Sequence, residues 1–129
     1  MARRVLDFAD GFTSASAPTT GTLWAASNTV GAPLALDGAT GVTLGGYAYE
    51  LIFVVGDGAA QSMLVDPQVD PGTNVGQMVR LVGTNSVNTI TFIDGSGLFM
   101  NGDVVLSDHS SIDLMWDGSL WIEVARNDI

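Results

Sequence analysis

The stretch Ile112-Asp113-Leu114-Met115-Trp116-Asp117-Gly118-Ser119-Leu120-Trp121-Ile122-Glu123-Val124-Ala125-Arg126 decides how the chain reads. Side chains alternate between the two faces of a strand. Ile112, Leu114 and Trp116 therefore share one face. Asp117-Gly118 is a pair that tolerates positive φ and so favours a tight turn. With Asp117-Gly118-Ser119 as the loop, Leu120, Ile122 and Val124 form the matching face. Asp113, Met115, Trp121, Glu123 and Ala125 then fall on the opposite one. That leaves Met115 and Trp121 as large apolar groups on the side that should be wet. We expect them to pack on a neighbouring subunit; the alternative is that Trp121 lies under a loop of its own chain.

The same grammar runs upstream. Asp37-Gly38, Asp57-Gly58, Asp94-Gly95 and Asn101-Gly102 punctuate short β-branched and aromatic runs. These runs are Tyr47–Val55, Gln77–Val82, Thr89–Ile93 and Val104–Leu106. Tyr47–Val55 becomes apolar on both faces, as a central strand does. No stretch sustains a 3.6-residue apolar period, so helices are not expected. The predicted fold is all-β: a small β-sandwich or jelly-roll-like barrel of short antiparallel strands with an extended N-terminal arm.

Residues 1–23 form that arm and its linker, and residues 24–129 the β domain. Arg3 and Arg4 balance Asp7 and Asp10, and Val5, Leu6, Phe8 and Phe12 are bulky for a free terminus. Small polar residues from Thr13 to Gly21 follow as a linker. An apolar, locally neutral tip on such a stem needs a place to dock. Alternatively, Val5, Leu6 and Phe8 make a first strand of the same domain.

Composition excludes several functions. The 129 residues, 47% of them hydrophobic, suit one modest core rather than disorder. The net charge of -10 falls entirely on residues 24–129, where only Arg80 and Arg126 oppose the acids. Nucleic-acid binding draws its affinity from Lys and Arg on phosphates, so nucleic acid is not an expected partner. An anionic membrane surface is excluded on the same ground. The longest strongly apolar run, Leu51–Val55, is far short of the roughly 18 residues of a membrane span. The basic start at Met1-Ala2-Arg3-Arg4 is interrupted by Asp7 and Asp10, so no leader segment is expected. There is no cysteine, hence no disulfide, thiolate metal site or cysteine nucleophile.

Candidate chemistry is sparse. Asp108-His109-Ser110 holds triad residue types, but neighbours in an extended chain point apart and cannot line up for catalysis. Glu50 and Glu123 lie in predicted strands, and most Asp residues precede Gly or Pro, where turn geometry explains them. Asp66, Asp70 and Asp103 do not match a calcium loop. Gly95-Ser96-Gly97 lacks the third glycine and the helix of a phosphate cradle. No catalytic residue, metal site or cofactor is expected. Trp24, Trp116, Trp121, Tyr47 and Tyr49 are the aromatic candidates for stacking on a sugar.

One wider resemblance can be drawn. Gln77–Val82, the Asn-rich turn Gly83–Asn88, Thr89-Ile90-Thr91-Phe92, and the closing Asp117-Gly118-x-x-Trp121-x-Glu123 hairpin resemble a β-module of tailed-bacteriophage virion proteins. Phe8-Ala9-Asp10-Gly11-Phe12-Thr13-Ser14 resembles their entry segments. The resemblance implies a trimeric, non-enzymatic structural protein, located in the virion and assembled in the host cytoplasm. Its short length and lack of repeats favour a capsid decoration or head-fibre protein over a tail fibre. In that reading Arg3, Arg4, Val5, Leu6, Phe8 and Phe12 dock on the capsid shell, and Met115 and Trp121 line the interface of a homotrimer. The alternative is a tail-fibre or receptor-binding protein, which would add a host glycan or surface protein as partner.

Overall fold

The computed structural model describes residues 25–26 and 32–128. Among them the regular elements are strands: β1 (Ala25–Ala26), β2 (Leu34–Leu36), β3 (Tyr49–Gly56), β4 (Gln61–Ser62) and β5 (Met78–Gly83), then β6 (Ile90–Phe92), β7 (Leu98–Phe99), β8 (Val104–Leu106), β9 (Ser111–Trp116) and β10 (Trp121–Asn127). The all-β expectation holds. A larger sheet runs β1-β3-β5-β9-β10-β7, with β2 also on β3; a smaller one runs β4-β6-β8.

Alternation puts the core between the two sheets. In β3 and β9 every second residue is buried: Glu50, Ile52 and Val54 in the first, Ile112, Leu114 and Trp116 in the second. From the smaller sheet Ile90, Phe92, Val104 and Leu106 face them. Among the described residues eighteen apolar side chains form this one cluster, the interior of the sandwich. β3 is central, with β5 on one side and β1 and β2 end to end on the other. β1 lies against Glu50 and Leu51, and β2 against Val54 to Gly56, along the same side of β3.

Strand direction departs from the antiparallel expectation. β9 is antiparallel to both its neighbours, β5 and β10, and β6 is antiparallel to β8. β1, β2 and β5 run parallel to β3, β7 is parallel to β10, and β4 to β6. The cause is the route of the chain. From β3 to β9 successive strands alternate between the sheets, and a strand that returns after such an excursion can lie parallel to its predecessor. The turns at Asp57-Gly58, Asp94-Gly95 and Asn101-Gly102 therefore carry the chain from one sheet to the other. Their glycines have positive φ, as the Asx-Gly signal requires. Among the described residues only β9 and β10 form a consecutive hairpin within a sheet.

Buried polar side chains finish the interior. The Gln68 amide donates to the Ile93 and Gly95 carbonyls at 2.7 and 2.9 Å, and its oxygen accepts the Ile93 N–H at 2.9 Å. A buried amide so satisfied avoids the desolvation penalty of an unpaired one. Two residues on, the Asp70 carbonyl accepts the Trp121 indole N–H at 2.9 Å. The 66–70 loop thus bonds to the end of β6 in one sheet and to β10 in the other.

Candidate binding face

The C-terminal hairpin corrects one expectation. Trp121 pairs with Trp116, and Ile122 with Met115, so the loop has four residues rather than three. The Asp117 carboxylate holds the loop by accepting the Ser119 and Leu120 N–H groups at 2.8 and 2.9 Å. Those bonds keep the Asp117 carboxyl below the ordinary carboxylate range. A shift of one residue moves each side chain to the other face. Trp121 therefore points inward at 1% exposure, its ring 5.3 Å from that of Trp116, under the 66–70 loop of its own chain. The alternative reading of Trp121 is the one the geometry supports.

The same shift builds an outward row. Tyr49, Met78, Met115, Ile122 and Phe99 lie in direct register across β3, β5, β9, β10 and β7. The first four are half-buried and Phe99 is 68% exposed. Met115 thus stays on the outer face, with Ile122 and Phe99 beside it in place of Trp121. The next row is Leu51, Arg80, Asp113 and Ala125. In it Arg80 bonds the Asp113 carboxylate through both Nε and Nη2, at 2.6 and 2.8 Å, which raises the guanidinium pKa further.

Past Glu123 the ladder is irregular, and Val124 is left outside it and exposed. Arg126 then reaches the Asn101, Gly102 and Asp103 carbonyls as well as the Glu123 carboxylate. Glu123 also accepts the Asn101 N–H at 2.7 Å. Arg126 is the main cause of the lowered Glu123 pKa; burial opposes it. Both arginines among the described residues are therefore committed to partners within the chain.

At the start of β3 the Glu50 carboxylate, 0% exposed, accepts the backbone N–H groups of Gly45, Gly46 and Tyr47 at 2.9–3.2 Å. It organises a loop and faces no open site. Glu123 is likewise occupied. His109 is exposed at φ 72°, 3.5 Å from Asp108, in the turn between β8 and β9. Among the described residues no group of three or more acids and histidines could hold a metal ion. Of the aromatic candidates, Trp116 and Trp121 are buried, Tyr49 is half-buried, Tyr47 is 46% exposed, and Trp24 lies outside the described residues. Arg3, Arg4, Val5, Leu6, Phe8 and Phe12 also lie outside them.

The two sheets and the closing hairpin agree with the family comparison. Residues 52–122, more than half of the chain, match the phage depolymerase C-terminal beta sandwich domain. The chain belongs to that family. It is a tailed-phage virion structural protein, as the resemblance anticipated, and of the tail-fibre-like kind that the sequence reading keeps as its alternative. The match takes in Met78, Phe99, Met115 and Ile122 of the outer row and stops short of Tyr47 and Glu50. No curated protein is similar enough to match the chain.

Proposed function

We propose that the chain is a non-catalytic β-module of a tail-fibre-like assembly, held to two further copies of itself through the outer face of its larger sheet. The observation that carries this reading is the row Tyr49–Met78–Met115–Ile122–Phe99, apolar at each of five strands. Soluble monomers seldom present a contiguous apolar stripe without a partner. The bonded Arg80–Asp113 pair beside it can be covered without leaving an unpaired charge. Few long charged side chains surround the row, so little side-chain entropy is lost on contact. The family match supports a tail-fibre-like role, the alternative that the sequence had placed second. Capsid decoration through residues 1–23 rests on the sequence of that arm alone.

The test is the mass of the full chain in solution. The wild-type protein is expected as a species of three 13.4 kDa chains, and Met115→Asp as a monomer with the same far-ultraviolet spectrum. A monomeric wild type, or a Met115→Asp protein of unchanged mass, would refute this interface.

A further inference from the structure

The 101–103 turn leads out of β7 in the larger sheet and into β8 in the smaller. Two side chains of β10 fasten it. The Glu123 carboxylate accepts the Asn101 N–H at 2.7 Å. The Arg126 guanidinium donates to the Asn101, Gly102 and Asp103 carbonyls at 3.2, 2.9 and 3.2 Å. Bonds to an ionised partner are the stronger kind, so the turn is clamped to β10 where the chain changes layers.

Asn101-Gly102 is also the one Asn-Gly pair of the sequence. Both residues are exposed, and a β-carbon on Gly102 would meet nothing within 4 Å. Among the described residues neither the Asn101 side-chain amide nor the Gly102 N–H has a partner. Between the Gly102 nitrogen and Asn101 Cγ lie the carbonyl carbon, Cα and Cβ, so their bonding closes a five-membered ring. Such an attack is intramolecular and needs no encounter. The guanidinium on the Asn101 carbonyl draws electron density from the peptide whose nitrogen attacks, which favours loss of its proton. The other described asparagines lack this combination. Asn85 Oδ1 is engaged by the Val87 and Asn88 N–H groups at 2.8 and 2.7 Å. Asn74 and Asn88 precede Val75 and Thr89, whose stiff β-branched side chains crowd the attacking nitrogen. Asn127 is paired with Ser111 in the ladder of β10.

We infer that Asn101 is a modification site, where deamidation through a succinimide ages the chain and loosens the Arg126 clamp. The Gly102 nitrogen bonds to Asn101 Cγ, and the side-chain nitrogen leaves as ammonia with the Gly102 proton. Water then opens the ring. Attack at Cγ breaks the new bond and gives aspartate; attack at the main-chain carbonyl breaks the original peptide bond and gives isoaspartate. In the second product the main chain runs through Cβ and Cγ and is one carbon longer. The old carbonyl oxygen becomes part of a pendant carboxylate. The three carbonyls can then no longer all keep their places on Arg126 while β7 and β8 stay where they are. The inference goes beyond the assembly reading. It needs a single chain and no residue of the outer row, so either can fail alone.

The test is storage of the full chain in heavy-oxygen water at mildly alkaline pH, followed by peptide mapping. The peptide holding Asn101 is expected to take up one heavy oxygen and to split into aspartyl and isoaspartyl forms. Asn74, Asn85, Asn88 and Asn127 should be labelled at least about tenfold more slowly. Asn101→Gln, which would have to close a six-membered ring, should also take up label there at least about tenfold more slowly. The isoaspartyl fraction, separable by its added negative charge, should melt a few degrees below fresh protein. Asn101→Asp, which carries the charge without the longer main chain, should melt nearer to wild type. The inference is overturned if Asn101 stays unlabelled, or if another of these asparagines is labelled as fast. It is equally overturned if the isoaspartyl fraction melts like fresh protein or no lower than Asn101→Asp.

Discussion

Replacing Glu50 by Gln changes one atom and removes the charge, so the cost isolates what the buried carboxylate contributes. Its Oε2 accepts N–H groups from Gly45, Gly46 and Tyr47 at 2.9, 2.9 and 3.2 Å; Oε1 takes a second contact from Gly45 at 3.0 Å. A glutamine oxygen in the Oε2 position keeps three contacts as neutral bonds. The amide nitrogen then confronts the Gly45 N–H, donor against donor. Charge-assisted bonds are worth about 1.5–3 kcal/mol net and neutral ones about 1 kcal/mol. Relief from burying a charge offsets part of the loss. We expect Glu50→Gln to cost about 1–2 kcal/mol, and Glu50→Ala, which loses every contact and leaves a void, about 3 kcal/mol or more. In urea the Gln variant should unfold about 1 M earlier, for a slope of about 1–3 kcal/mol per molar. Amide exchange at Gly46 and Tyr47 should quicken in both variants. If Glu50→Gln matches wild type within about 0.3 kcal/mol, or costs as much as Glu50→Ala, the loop contacts do not stabilise the fold in the way argued here.

Glu123 gives a pH dependence. Its pKa is lowered in the folded protein, so its contribution is fully present above the unfolded value of about 4.3 and is lost as pH falls through the lower folded one. Urea midpoints should drop between about pH 5 and about pH 3, and drop less in Glu123→Gln. An equal drop in both proteins would remove Glu123 as a cause. Gly72→Ala should destabilise by about 1–3 kcal/mol, because a β-carbon there meets Cβ, Cγ and Cδ2 of Trp116, the rigid root of that side chain. Thermal melting checks this, and an unchanged midpoint would mean that Gly72 and Trp116 are free to separate.

The strands were legible because alternation is local: Ile112, Leu114 and Trp116 point inward as their spacing predicts. The hairpin register was not, because it depends on the Asp117 side chain holding a fourth loop residue, Leu120. That one residue turned Trp121 from a surface group into a core group. Strand direction was also hidden. An Asx-Gly pair announces a reversal but not whether the next strand rejoins the same sheet, and Asp57-Gly58 and Asp94-Gly95 both lead across the core. Of the candidate surfaces, Met115 was found from its parity, while Phe99 was missed because its neighbour Ile122 was assigned to the opposite face. Tyr47 was one of five aromatics until burial separated them. The role of Glu50 was concealed because its partners are backbone groups; a double glycine four and five residues ahead of a strand carboxylate is the only trace it leaves.

The 66–70 loop has a consequence for how the domain comes apart. Gln68 fastens it to the margin of the smaller sheet, and the Asp70 carbonyl fastens it to Trp121 in the larger. Neither layer can peel away without exposing the groups that anchor the other. Melting should therefore be a single cooperative event, with the slowest-exchanging amides of both layers opening at the same free energy.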